Sequence, residues 1–194
     1  SSTSRGLGDV YKRQHMYSLL KGTWALFFGV GMIMLANGLQ GSLIGVRASL
    51  EGYSALSAGI ILTGYYAGFL SGALLIPNRV KSVGHVRMFA ALASIASISI
   101  LLHSIHVSFI GWFLMRFISG MCFVGMYTVA ESWINDLSEN NNRGKALSVY
   151  MMVSMGGSAI GQLFLNIASP ETASLFMLVS ILISISLVPI LIVV

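Results

Sequence analysis

Charge is what this sequence lacks most. Charged side chains make up 9% of the 194 residues, and only six of them are acidic. A soluble domain carries about 25% charged residues, enough for a polar shell around its core. This chain cannot build such a shell, and with 56% hydrophobic residues it reads as a membrane protein. Cysteine is nearly absent too. Cys122 is alone, so no intrachain disulfide forms, and its place in an apolar run makes it a small packing residue. Proline occurs three times, leaving long stretches without a helix breaker. The net charge of +5 suggests a nucleic-acid partner at first sight. The basic residues form no stripe and lie in short gaps between apolar runs, which excludes that reading.

Those runs are long. A helix needs about 20 apolar residues to cross the hydrocarbon core. Stretches free of Asp, Glu, Lys and Arg cover Gly22–Val46, Gly52–Asn78, Ala146–Pro170 and Thr172–Val194, while Met88–Ala130 contains only Arg116. The last is too long for one helix and is expected to break near "HSIHVS" (His103–Ser108). Six transmembrane helices follow, at about 22–46, 55–77, 88–105, 107–130, 146–168 and 172–194. The runs are continuous rather than alternating, which excludes a β-barrel and gives an all-α fold.

Six spans place Lys21, Arg79, Lys81, Arg87, Arg143 and Lys145 on one side and only Arg47 on the other. This bias predicts that both ends are cytoplasmic, as expected for the bacterial inner (plasma) membrane. Gly64, Gly68 and Gly72 in the second span, and Gly157 and Gly161 in the fifth, recur every four residues. Such faces let helices approach closely.

Few residues have chemistry to offer. Arg116 lies near the middle of a span, where a cation costs roughly 2.5 to 3.5 kcal/mol. It is either a site for an anionic group or an organiser of a transport path, or else a structural arginine bonded to carbonyls of a neighbouring helix. Asn37 and Gln40 share one side of the first span. Ser154, Ser158, Gln162 and Asn166 repeat every four residues in the fifth. These stripes line a solute cavity or bond between helices. No acidic residue lies deep in a span, so a proton carrier is not evident. His103 and His106 lack Cys, Asp or Glu beside them and make no metal site. "GGSA" (Gly156–Ala159) resembles the Gly-x-Ser motif of rhomboid proteases, but those need a histidine base on a later helix, and no histidine follows His106. The sequence therefore implies no enzyme, no cofactor and no metal.

The loops are more specific. "GALLIPNRVKSVGHVR" (Gly72–Arg87) resembles the first signature of the major facilitator superfamily of transporters, with Gly72, Arg79, Gly84 and Arg87 as matches. The family's aspartate is missing: Lys81 or Asn78 stands there, depending on the alignment. "RFISGMCFVG" is similar to the family's Arg-x-x-x-Gly motif, through Arg116 and Gly120. "AESWINDLSENNNRGKALS" resembles its glutamate at the end of helix four and Arg-Gly at the start of helix five, through Glu131, Arg143 and Gly144. The wording "AESW…NRG" is similar to the YcaD-like branch. The antiporter signature is incomplete, since Gly161 is followed by Gln162.

The resemblance implies the N-terminal six-helix half of a 12-helix fold, with a small solute bound between halves. The polar faces and the arginine make Asn37, Gln40, Arg116, Ser158, Gln162 and Asn166 the candidates for the solute cavity. The resemblance implies a cytoplasmic gate at Gly72, Arg79, Lys81, Gly84, Arg87, Glu131, Arg143 and Gly144. Gly64, Gly68, Gly120, Gly157 and Gly161 are the expected packing residues. The partners it implies are the lipid bilayer, a solute and a C-terminal half of the same transporter, which makes this chain an expected fragment. The alternative is a complete six-helix membrane module with a scaffolding role.

The first residues stand apart. "SRGLGDVYKRQ" (Ser4–Gln14) back-translates, codon for codon, into a transposase sequencing adapter. Residues 1–14 are therefore expected to be foreign and disordered, with native sequence from near His15 and Met16 a possible start. Without Arg5, Lys12, Arg13 and Asp9, net charge falls from +5 to +3.

Overall fold

The protein is described here by a computed structural model covering the backbone of residues 2–193. Side chains are described from Thr23 to Val193. Six helices account for nearly all of it: α1 (Ser2–Leu50), α2 (Ala55–Val83), α3 (His85–Ile105), α4 (Phe109–Leu137), α5 (Arg143–Leu163) and α6 (Ser174–Val193). A 3₁₀ turn, Phe164–Asn166, follows α5. No strand occurs among the described residues, and all six helices are long and apolar enough to cross a membrane.

Between α3 and α4 the chain leaves the helix at residues 106–108. α3 stops at Ile105, and Ser108 caps α4 by accepting a hydrogen bond from the Gly111 amide at 3.1 Å. Other boundaries move. α2 runs past Pro77 to Val83, although the ring removes one N–H from the ladder and crowds the carbonyl four residues earlier. α2 ends at Gly84, whose φ of 93° suits glycine and turns the chain at once into α3. α4 continues past Ala130 to Leu137, since Trp133 and Ile134 still bury their side chains. At the other end, α1 begins at Ser2. The backbone of residues 2–14 is therefore helical rather than disordered as expected. That stretch contains no proline, and extending an existing helix gains one hydrogen bond per residue fixed. The side chains of those residues lie outside the described set.

Among the helix pairs in extensive contact, α2 with α4 and α1 with α5 are set apart by their glycines. Both are closed by glycines set against backbone. In the first pair, a Cβ on Gly68 would collide with the Phe117 carbonyl, one on Gly64 with the Phe113 carbonyl, and one on Gly120 with the Tyr65 carbonyl. In the second, Gly161 lies on the Leu35 carbonyl, Gly157 on the Gly31 carbonyl and Gly38 on the Ser158 carbonyl.

The two sets correspond position by position. Gly38 and Gly120 are 82 residues apart, as are Leu35 and Phe117, and Gly31 and Phe113. Gly64 and Gly157 are 93 apart, as are Gly68 and Gly161, and Tyr65 and Ser158. So α1 corresponds to α4 and α2 to α5. The remaining contacts obey the same rule: α1 packs on α6 as α4 packs on α3. The last pair, α3 and α6, meets itself through a hydroxyl–hydroxyl hydrogen bond between Ser97 and Ser180. The chain is thus two three-helix units, α1–α3 and α4–α6. An odd number of crossings separates equivalent helices, so the second unit is inverted.

Candidate functional site

Contact between the two glycine-sealed pairs is sparse: α1 touches α2 and α4 only lightly, and α4 touches α5 only lightly. A cavity of about 290 Å³ opens there. Its walls are Asn37, Gly38, Gly41 and Ser42 of α1, Tyr65 and Tyr66 of α2, Arg116 of α4, and Ser158 and Gln162 of α5. The stripe logic explains the α1 wall: Asn37 and Gly41, like Gly38 and Ser42, are one turn apart and share a face.

Arg116 is the charge in this cavity. It is 4% exposed. Its guanidinium carbon sits 4.6 Å from the centre of the Tyr65 ring, a cation–π arrangement. Nε and Nη1 are buried without hydrogen-bond partners, and among the described residues no carboxylate pairs with it. The alternative of an arginine bonded to neighbouring carbonyls is therefore not what the geometry shows. Across from it, the Asn37 amide donates to the Tyr127 hydroxyl at 2.8 Å and accepts from Gln40 Nε2 at 3.3 Å. Tyr127 and Gln40 thereby hold Asn37 in place.

Of the six cavity residues expected from sequence, four line the space: Asn37, Arg116, Ser158 and Gln162. Gln40 stands behind the wall, fully buried, with Oε1 unpartnered. Asn166 does not join. α5 ends at Leu163, so the four-residue repeat breaks, and the Asn166 amide turns back to the Leu163 carbonyl at 3.1 Å in the 3₁₀ turn. Tyr65, Tyr66 and Ser42 were missed. The sequence signal for the two tyrosines was a pair of adjacent phenol rings between Gly64 and Gly68.

The residues expected at the gate lie together at the end that carries the α2–α3 and α4–α5 connections. Arg79, Lys81, Gly84, Arg87, Glu131, Arg143 and Gly144 are all exposed. Glu131 and Arg143 form no ion pair, and Glu131 instead has Tyr150 of α5 in hydrogen-bonding reach. Gly72 belongs elsewhere: a Cβ there would meet Val124 and the Met121 backbone, so it is a seam glycine of α2 and α4. A contact absent from the sequence reading ties this end together. His85 Nε2 lies 3.0 Å from the Ser132 hydroxyl and 3.6 Å from Asp136, and its ring stacks on Trp133.

The opposite end is held by Arg47. Its Nε pairs with Glu51 at 2.6 Å, and its Nη1 donates to the carbonyls of Pro170 and Glu171 before α6. The two histidines separate: His103 is buried against Trp112, with Nδ1 at the Ser99 carbonyl, whereas the His106 carbonyl accepts from the Trp112 indole.

Comparison with known proteins fixes the family. The sequence profile of the Major Facilitator Superfamily matches residues 26–194. The chain belongs to the Major Facilitator Superfamily. Among curated superfamily proteins it is similar to the "Uncharacterized MFS-type transporter YcaD" of Escherichia coli K12 / DH10B and of Escherichia coli O157:H7 strain EC4115. Each is 28% identical over 149 residues, which is 77% of this chain and 39% of the relative. The chain thus spans about two-fifths of the length of these relatives. Superfamily membership accounts for the all-α architecture and for six helices of membrane-crossing length.

Proposed function

We propose that this chain is the N-terminal half of a secondary active or facilitative transporter that moves a small solute by alternating access. The observation that carries the reading is the cavity between the two inverted units, which holds Arg116 among amide, hydroxyl and tyrosine side chains. A binding site at the meeting point of inverted repeats can open to either side when rigid parts rock about it.

Positive charge at the end carrying Arg79, Lys81, Arg87, Arg143 and Lys145 supports a cytoplasmic assignment for that end, and hence for both termini. The relatives' length supports a second half that completes the site, and their source supports the bacterial inner membrane. The exposed cations around Gly84, the Tyr150–Glu131 contact and the His85–Asp136 contact serve as the cytoplasmic gate in this reading.

The test is solute uptake into proteoliposomes containing the full-length transporter, screened across solute classes. Arg116→Ala is expected to abolish the uptake that wild type shows, at equal protein content. Unchanged uptake by that variant would sink the assignment of the cavity, and a full-length protein that moves no solute would sink the transporter reading.

A further inference from the structure

Among the described residues no carboxylate balances the charge of Arg116, whose one close partner is the Tyr65 ring. Burial without a partner is costly for a cation, and such a residue persists where something else pairs with it. Packing does not require it. The equivalent position in the other unit, 82 residues earlier, is Met34, and there the same kind of glycine seam closes around a thioether. Nor do the described residues supply a counter-charge. Their acidic side chains are Glu51, Glu131, Asp136, Glu139 and Glu171, and none of these lines the cavity.

Resting on the transporter reading, we infer that the solute is a singly charged organic anion whose carboxylate pairs with the Arg116 guanidinium. One cation matches one negative charge. A phosphate monoester carries about −1.5 to −2 at neutral pH and would leave charge unpaired. An inorganic halide would leave most of a cavity of about 290 Å³ unfilled. The guanidinium offers fixed, planar N–H donors that suit a carboxylate. The remaining walls describe the rest of the solute. Asn37, Ser42, Ser158 and Gln162 provide amide and hydroxyl groups, which match a body bearing hydroxyls or amides. The Tyr65 ring covers one side of the guanidinium and keeps it from turning away.

The experiment uses the full-length transporter in nanodiscs and reads thermal shift with lactate, gluconate and benzoate, each beside its primary amide, and with choline as the cationic control. At least one carboxylate is expected to raise the melting temperature with an apparent Kd at least tenfold below that of its amide. Arg116→Gln is expected to abolish that preference, and Arg116→Lys, which keeps the charge but not the planar donors, to retain part of it. The unliganded melting temperature of Arg116→Gln is expected to equal or exceed that of wild type.

Equal binding of a carboxylate and its amide, or binding of choline unaffected by Arg116→Gln, would overturn the anion class while leaving the transporter reading intact. Silence from every probe, together with a lower unliganded melting temperature in Arg116→Gln, would assign Arg116 a carboxylate from elsewhere in the transporter and overturn the proposal as well. Loss of uptake for every solute class, by contrast, counts against the transporter reading itself.

Discussion

The unit α1–α3 and the unit α4–α6 are built on the same contacts and differ in what they place beside them. Where α1 meets α5, Met34 and Ser158 flank the seam. Where α4 meets α2, the equivalent positions are Arg116 and Tyr65. Glycine against carbonyl is common to both, so it is the part the architecture demands. In lipid no hydrophobic force drives helices together, and close van der Waals contact must do so instead. Arginine over tyrosine occurs once, so the architecture does not demand it. The difference separates scaffold from site within one chain, without reference to any other sequence.

The largest effect expected is on the scaffold. Gly68→Leu and Gly161→Leu each drive a side chain into the backbone of the facing helix. Overpacking alone costs about 1–3 kcal/mol, and here rigid carbonyls are the obstacle, so each variant should lose about 3 kcal/mol or more. Yield of monodisperse protein and melting temperature measure this. If one seam tolerates leucine and the other does not, the equivalence of the two units fails.

Next comes Arg116→Met, which makes the second unit copy the first. Replacing a buried, unpaired charge by an apolar side chain should leave stability unchanged or raise it, by about 2 kcal/mol, while abolishing uptake. A clear fall in melting temperature would return Arg116 to the scaffold. Tyr65→Leu is smaller: it removes the cation–π contact and should cost about 1 kcal/mol. The equivalent exchange in the other unit, Ser158→Ala, should leave stability within about 0.5 kcal/mol and weaken solute binding alone.

Sequence patterns carried the scaffold further than the site. Six spans, their break at Ser108 and the glycine faces follow from hydropathy and four-residue spacing, since lipid permits few alternatives. Gly72 shows the limit of motif matching: its loop resembles a gate, yet the residue itself closes a seam. Arg116 was legible because charge inside a span is rare. Tyr65 was not, because a tyrosine in a span serves as well for packing, and only the fold puts its ring under the guanidinium. Asn166 failed for a local reason: helical periodicity was extended beyond Leu163, where the helix ends.

The pairing of Ser97 with Ser180 offers the smallest and sharpest test of the repeat. A two-fold relation between the units requires α3 and α6 to meet each other at equivalent positions, and these hydroxyls bond directly. Ser97 and Ser180 are 83 residues apart, as are the buried Leu92 and Leu175 and the buried Ile100 and Ile183, so Ser97→Ala and Ser180→Ala remove the same bond from opposite sides. Hydrogen bonds between membrane helices contribute about 0.6 kcal/mol on average, so each variant should lose about that much, and the double variant no more than either one. The coupling from a double-mutant cycle should thus be comparable to each single effect. Two independent, additive losses would show that the hydroxyls do not pair, and the two-fold relation would then rest on the glycine seams alone.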